Sequence, residues 1–186
     1  ISSFKGNTPE QFQAIYDQLT QDGAKALIFD LRDDGGGLVS ALEKILDPLL
    51  PEGKIAIATY RDGTTKTLVE SDATECSLPM TVIVNGNTAS AAELFTASLR
   101  DFGKASVVGT QTFGKGIMQV TQSMPSGGAL TLTVATYQTT KGECYHKVGI
   151  KPDEIVEAGE DAVDYSDPNP EKDPQLKKAI EMVQAK

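Results

Sequence analysis

The sequence predicts an α/β fold in which a mostly parallel sheet is flanked by helices and carries added antiparallel strands. Two short apolar runs, 26–31 and 80–85, have the composition of strands that are buried on both faces, as in parallel sheets. Each run is followed by a loop and then by a helical pattern, and repeated strand–loop–helix units indicate a parallel arrangement. Later, two strand-like segments flank Pro125-Ser126-Gly127-Gly128 and predict an antiparallel pair.

The remaining elements follow from apolar residues at helix or strand spacing and from start and stop signals. They are, in chain order, a helix from Thr8 to before Gly23, a helix from about Val39 to Leu49, strands at 55–60 and 66–69, a helix at 89–102, strands at 106–109, 117–123 and 129–139, and a helix at 174–184. In the first helix, Pro9 follows Thr8 directly, and Gln11 lies three residues after Thr8. This arrangement is typical of the first turn of a helix.

Composition bounds the class of protein. The chain has 186 residues, of which 39% are hydrophobic, so residues 1–186 are expected to form a single domain with one core. The net charge of −9 argues against nucleic acid as a partner, because phosphate binding needs clustered lysine and arginine. No run of about 18 apolar residues occurs, so no membrane-spanning helix is predicted. The chain starts without methionine, and we expect it to be a piece of something longer.

Two cysteines and one histidine are too few for a zinc site, and no metal or cofactor is expected. Cys76 and Cys144 could form a disulfide, be two free thiols or be two buried small hydrophobes. Cys144 lies two residues before His146, so a thiol–imidazole pair on one strand face is an alternative site. Asp33 and Asp34 could suggest paired carboxylates or a hard-metal site, but successive side chains point apart.

The most informative residues lie in two loops, 32–37 and 85–90, that follow predicted parallel strands. In open α/β sheets ligands bind beyond the carboxyl ends of the strands, so we expect the active site between these loops. Ser90 lies at or near the start of a helix, where unpaired N–H groups and the helix dipole favour negative charge. The backbone N–H groups of Ala91 and of Gly36 are candidate donors to an oxyanion.

Lys115 lies in a glycine-flanked turn, 25 residues after Ser90. A serine nucleophile with a lysine base is a known variant of the catalytic triad, provided that the lysine is neutral, which apolar surroundings favour. Gln119 offers a neutral amide that can orient the amine. Taken singly, Ser90 could be a helix cap and Lys115 a solvated loop lysine, and it is the combined spacing that favours catalysis.

Several segments together resemble the C-terminal processing (tail-specific) serine peptidases over nearly the whole chain. They are residues 27–38, similar to the family segment D-L-R-N-N-P-G-G, residues 85–93, similar to N-x-x-S/T-A-S-A-S-E, Phe113-Gly114-Lys115-Gly116 with Gln119, residues 148–153, similar to G-I-x-P-D, and residues 173–176, similar to D-x-Q-L. Two departures stand out, since Gly35 occupies the usual proline position and Ala92 replaces a serine.

The resemblance implies a crotonase-like (ββα) core and a serine endopeptidase that cleaves protein or peptide substrates near their C-termini. It implies Ser90 as nucleophile, Lys115 as general base positioned by Gln119, and the N–H groups of Gly36 and Ala91 as the oxyanion hole. It also implies a PDZ domain elsewhere in the full-length chain and a location outside the bacterial cytoplasm, in the periplasm, at the cell surface or secreted. It implies no particular oligomeric state.

Two other classes of function remain open from the sequence. One is a non-catalytic ligand-binding module on the same fold, which would not need to keep Ser90, Lys115 and Gln119 together. The other is a coenzyme-A hydratase-like enzyme, which a thioester assay would distinguish from a peptidase.

Overall fold

The computed structural model describes residues 1–72, 74–159, 163, 165 and 167–185. Its elements are α1 (Thr8–Gln21), β1 (Leu27–Asp30), α2 (Val39–Leu46), β2 (Gly53–Tyr60), β3 (Thr65–Ser71), β4 (Met80–Val84), α3 (Ala91–Asp101), β5 (Ala105–Gly109), β6 (Ile117–Ser123), β7 (Ala129–Thr139), β8 (Glu154–Ile155) and α4 (Pro174–Gln184). None of the described helices is long and apolar enough to cross a bilayer.

A parallel sheet with the strand order β1-β4-β5-β8 forms the centre of the fold, as the apolar runs predict. Leu27 pairs with Met80, and Met80 pairs with Ala105 on its other side. Every residue of β4 is buried, because helices cover both faces of the sheet. Helix α4 packs on one face through a small cluster that includes Ile83, Val108 and Ala179. The larger core lies on the opposite face.

The predicted antiparallel strands form a second sheet of their own, with the order β3-β2-β7-β6. Helices α2 and α3 lie between the two sheets and bury their apolar side chains toward both. Leu42 and Ile45 of α2, Phe95 of α3 and Ile55 of β2 are fully buried in this shared core. The main core is therefore sandwiched between sheets that carry different loops of the candidate site.

Two predicted helix boundaries are wrong, and backbone chemistry explains both. The second helix ends at Leu46 rather than Leu49, and a 3₁₀ turn at Asp47–Leu49 follows because Pro48 has no N–H to donate. Helix α3 starts at Ala91 rather than Ala89, because Ser90 has a positive φ of 59° that no α-helix accommodates. Strands β6 and β7 and helix α4 have the predicted bounds.

Candidate active site

The loops after β1 and β4 lie side by side, as expected for neighbouring parallel strands. Asp33 accepts hydrogen bonds from the side-chain amides of Asn85, at 3.0 Å, and Asn87, at 2.8 Å. The backbone N–H of Ala89 donates to the carbonyl of Asp34 at 2.9 Å. These bonds bring the glycine-rich loop 32–37 against the segment that carries Ser90.

Ser90 sits at the junction between this loop and α3 in a strained backbone conformation. Its φ of 59° and ψ of −119° suit glycine better than an L-residue with a side chain. The turn presents the half-buried hydroxyl at the start of the helix. Tyr137 of β7 lies over it, with 3.4 Å between the two side-chain oxygens. Such a junction is where an exposed nucleophile is expected.

Gly36 makes a close approach to Ser90 that no other residue type could make. A methyl group on Gly36 would lie 2.7 Å from the backbone nitrogen of Ala91 and 2.8 Å from Cβ of Ser90. Phe4 fixes this loop, since its N–H donates to the carbonyl of Gly36 at 3.0 Å. The structure therefore brings Gly36, Ser90 and Ala91 together.

The two predicted oxyanion donors differ in their present partners. The N–H of Gly36 donates to Oδ1 of Asp34 at 2.7 Å. The N–H of Ala91, the first in α3, has no acceptor within the part of the chain that the structure describes. The N–H of Ala91 is thus without an acceptor, whereas that of Gly36 is already bonded to Asp34.

Glu93 connects the Ser90 segment to the Lys115 segment. It is fully buried, and its Oε2 accepts the backbone N–H of Ser90 at 2.9 Å and that of Lys115 at 2.7 Å. Its Oε1 accepts the N–H of Gly114 at 2.7 Å and the hydroxyl of Thr112 at 2.5 Å. One carboxylate with four donors therefore fixes both backbones. Sequence reasoning assigned Glu93 no role, although a Glu three residues after a serine at a helix start is a capping-box signal.

Lys115 is half-buried in a turn whose flanking glycines have little free space. A methyl group on Gly114 would lie 2.8 Å from the backbone nitrogen of Gly149, and one on Gly116 would lie 3.1 Å from that of His146. The carbonyl of Lys115 accepts the hydroxyl of Tyr137 at 2.7 Å. No carboxylate pairs with Nζ of Lys115 among the described residues.

Tyr137 is a second residue that the sequence reasoning missed. It is buried on β7, and its hydroxyl contacts both the Lys115 carbonyl and the Ser90 side chain. Burial raises the pKa of its phenol, so it remains a neutral donor. A tyrosine within a predicted strand carries no signal of this position, because the contact depends on how the second sheet packs on α3.

Gln119 is not brought to Lys115 in the same way. It is exposed on β6, directly after a bulge at Met118. Among residues 74–159, no hydrogen bond joins Gln119 to Lys115. Its predicted role in orienting the amine therefore stays a prediction.

The alternative site residues lie at the edge of this arrangement. Cys76 and Cys144 are both free, which excludes the disulfide alternative. Cys144 points its sulfur toward the carbonyl of Gly116 at 3.9 Å. In the described structure, Nδ1 of His146 is buried without a hydrogen-bond partner, and the Cys144 thiol is directed at the Gly116 carbonyl and not at that nitrogen.

The side chains of Asp33 and Asp34 lie in different surroundings, since Asp33 is exposed and Asp34 is buried. No group of three or more His, Cys, Asp or Glu in the described residues is arranged to hold a metal. Hydrogen bonds from Asn87, Asn85 and Tyr165 lower the pKa of Asp33. Burial raises the pKa of Asp34 to about 6, although its bond from Gly36 acts in the opposite direction.

A buried ion-pair network fixes the start of the glycine-rich loop. Arg32, with 3% of its side chain exposed, pairs with Asp30 at 2.5 Å and with Asp173 at 2.7 Å. It also donates to Gln175 at 3.0 Å. Asp30 lies two residues before Arg32 in the sequence, whereas Asp173 and Gln175 come from the start of α4. The loop is thereby tied to the last helix.

Comparison with known proteins gives a consistent family. The family model described as Peptidase family S41 matches residues 1–156. A carboxyl-terminal-processing protease from a Synechocystis species is 37% identical over 157 residues, which cover 84% of this chain and 37% of the relative. The carboxy-terminal processing protease CtpA of Bacillus subtilis is 35% identical, with 82% of this chain and 33% of the relative covered.

Solved structures give the same fold. The photosystem II D1 C-terminal processing protease matches with a TM-score of 0.78 and 30% identity, over 84% of this chain and 41% of that one. A lipoprotein from Streptococcus agalactiae matches all of this chain and 64% of its own, with a TM-score of 0.76 and 20% identity, and shows the fold alone. Three curated relatives, the two just cited and a further cyanobacterial one, are much longer than this chain. The chain spans between 33% and 44% of their length.

Proposed function

The chain belongs to peptidase family S41, and on that premise we propose that it is the catalytic core of a serine endopeptidase that cleaves protein substrates near their C-termini. The observation that carries the proposal is the bond set of Glu93, whose carboxylate holds the backbones of Ser90 and Lys115 at once. The bond from Ser90 alone is that of a capping box, but the bonds from Lys115, Gly114 and Thr112 go further and tie this helix start to the lysine turn.

In the proposed reaction Ser90 Oγ attacks the scissile carbonyl carbon, and its proton passes to Nζ of Lys115. The tetrahedral oxyanion is bound by the N–H groups of Ala91 and Gly36. Collapse breaks the C–N bond, Lys115 gives its proton to the leaving amine, and Ser90 carries the acyl group. Water, deprotonated by Lys115, then attacks the ester, the bond to Ser90 Oγ breaks with release of the new carboxyl terminus, and Lys115 returns the proton to Ser90 Oγ.

The bonds around Lys115 support its assigned role. No carboxylate among the described residues pairs with its Nζ, so the amine is not held in an ion pair, while its backbone N–H is fixed by Glu93. Tyr137 holds the carbonyl of Lys115 and also reaches the Ser90 hydroxyl, which keeps the two segments in register. We assign to Gln119 the orientation of the amine, and this assignment rests on sequence spacing.

The wider setting of the core is part of the same proposal. Residues 1–186 are assigned as a peptidase core within a longer protein, since the relatives are two to three times as long. A PDZ domain elsewhere in that protein and a location outside the bacterial cytoplasm are supported by the family resemblance of the motifs.

The proposal is tested with an unstructured protein that ends in apolar residues, whose products are identified by mass spectrometry. Wild type and His146→Gln should cleave it, whereas Ser90→Ala, Lys115→Ala and Lys115→Arg should lose activity by at least about a thousandfold. Arginine fails because a guanidinium stays protonated. Circular dichroism checks that each variant is folded.

Three outcomes would contradict the assignment. An active Lys115→Arg variant would make Lys115 a binding residue only. A second concerns pH, since the hydrolysis rate of wild type should be low in acid and rise toward alkaline pH. If His146→Gln lost that rise, His146 and not Lys115 would be the base. A folded wild type that binds the substrate without cleaving it, and whose Ser90 is not labelled by a peptidyl phosphonate, would favour the binding module.

A further inference from the structure

The glycine-rich loop carries two acids, Asp33 and Asp34, where the family segment it resembles carries two asparagines. The two acids do different things. Asp33 is exposed and bonds to Asn85 and Asn87. Asp34 is fully buried, and its Oδ1 accepts the N–H of Gly36. The proposed reaction makes no use of Asp34.

Asp34 competes for a group that the proposed reaction needs. Its bond to the Gly36 N–H is 2.7 Å long, which is the length of a charge-assisted hydrogen bond. The other oxygen, Oδ2, is buried without a hydrogen-bond partner in the described structure. Since the Ala91 N–H has no such acceptor, the two donors of the oxyanion hole are unequal before substrate arrives.

We infer that Asp34 restrains the peptidase: its carboxylate occupies the Gly36 donor of the oxyanion hole, and the substrate oxyanion must displace it or share that donor. The inference rests on the proposed function, because it needs Gly36 to bind an oxyanion. The ionised carboxylate opposes the reaction in two ways. It is a strong acceptor for the N–H, and it places a negative charge beside the oxygen that becomes negative in the transition state.

Protonation of Asp34 removes both effects. A neutral carboxyl is a weaker acceptor and carries no charge, so the donor becomes available. Burial raises the pKa of Asp34 to about 6, and the change therefore falls just below neutral pH. The N–H of Gly36 favours the carboxylate but does not outweigh burial. The carboxylate of Glu93 on α3 is bonded to the backbone of the Lys115 turn. The 85–90 loop contacts Asp34 through the backbone N–H of Ala89, which donates to the Asp34 carbonyl.

The premise can be tested without catalysis, by following the Gly36 amide resonance in a pH titration of the ¹⁵N-labelled chain. In wild type it should shift with an apparent midpoint of about 6, since the acceptor changes charge there. In Asp34→Asn the shift should disappear, while Asp33→Asn, which removes the same charge one residue away, should keep it. A Gly36 resonance that does not move in wild type, or moves equally in Asp34→Asn, overturns the inference.

The consequence is tested by rates. Asparagine keeps an acceptor oxygen for the turn but removes the charge, so Asp34→Asn should raise kcat about fivefold to tenfold at about pH 8, with little change in KM. The ratio of the two rates should approach one at about pH 5, where wild-type Asp34 is protonated. Asp33→Asn should give no increase at either pH. A purely structural Asp34 predicts equal or lower rates for Asp34→Asn at every pH, and that result would refute the restraint.

Different results would refute the restraint by Asp34 and the peptidase assignment. If wild type cleaves the substrate and Asp34→Asn, shown to be folded by its melting curve, is no faster, the restraint is wrong and the peptidase assignment stands. If neither chain cleaves and neither is labelled at Ser90 by a peptidyl phosphonate, the proposed function fails and the restraint fails with it.

Discussion

The Glu93 carboxylate accepts the backbone N–H of Lys115 at 2.7 Å, and the two residues belong to different connections of the fold. Glu93 lies in the first turn of α3, which follows the parallel strand β4. Lys115 lies between β5 and β6, where the chain leaves the parallel sheet for the antiparallel one. The bond therefore fixes the joint between the sheets at the point where the proposed base is needed.

Glu93→Gln is expected to destabilise the fold and to abolish the proposed peptidase activity. Four donors converge on the carboxylate, and an amide would point its own N–H groups at some of them. We expect the free energy of unfolding to fall by about 2–4 kcal/mol and kcat/KM to fall at least about a hundredfold. Urea denaturation and peptide hydrolysis measure the two effects. Glu143→Gln, at an exposed position, is the matched control. If the two variants had the same stability and the same kcat/KM, Glu93 would have no role in the candidate site.

Ser90→Gly should be more stable than Ser90→Ala, although both should be inactive. The φ of 59° with a ψ of −119° strains any residue that has a Cβ, and glycine relieves that strain. The expected difference is about 1–3 kcal/mol in the free energy of unfolding, measured in urea. An alanine variant as stable as the glycine variant would show that the Ser90 backbone is unstrained.

The sequence predicted the parallel sheet because its strands are buried on both faces and read as continuous apolar runs. The same logic predicted that the loops after β1 and β4 lie side by side, since the carboxyl ends of neighbouring parallel strands meet at one edge of the sheet. Glu93 and Tyr137 were out of reach for a physical reason. Glu93 is a charged residue in a helix, where exposure is the default, and its burial depends on three donors more than 18 residues away. Tyr137 reaches Ser90 only through the docking of the second sheet.

Asp34→Asn should stabilise the fold at neutral pH and not in acid. The pKa of Asp34 rises from 3.8 to about 6 on folding because the side chain is buried. A raised carboxyl pKa gives stability that is complete below about pH 4 and is lost as the pH rises through about 6. Asp34→Asn has no carboxylate to bury, so it does not lose this stability. Its free energy of unfolding, relative to wild type, should therefore rise from near zero in acid to as much as about 3 kcal/mol at neutral pH. Urea denaturation at about pH 4 and about pH 7.5 tests this, and a constant difference would contradict it.

Asp173→Ala should unfold more easily than Asp173→Asn. Both lose the ion pair with buried Arg32, but asparagine keeps the cap that Asp173 provides to the N–H groups of Gln175 and Leu176. We expect losses of about 3–5 kcal/mol for alanine and about 1–2 kcal/mol less for asparagine.

The pH dependence of the Asp173 variants distinguishes the ion pair from the cap. Burial opposes ionisation of Asp173, but bonds from Arg32 and the helix N–H groups outweigh it and hold its pKa below the usual range. Its contribution is therefore present above about pH 4 and is lost as the pH falls through the folded value, so the gap between wild type and Asp173→Asn should narrow in acid. Glu171→Gln, in an exposed pair with Lys177, should change little at any pH.

The bond between Arg32 and Asp173 joins residues 141 positions apart, which sets an order on how the protein matures. A ribosome delivers the glycine-rich loop well before helix α4. Until that helix docks, the Arg32 guanidinium has Asp30 as a partner but lacks its bonds to Asp173 and Gln175. A growing chain thus holds Ser90 and Lys115 well before the loop beside Ser90 has its full set of bonds. If the proposed activity needs that loop, it has to wait for helix α4 to be made and to dock.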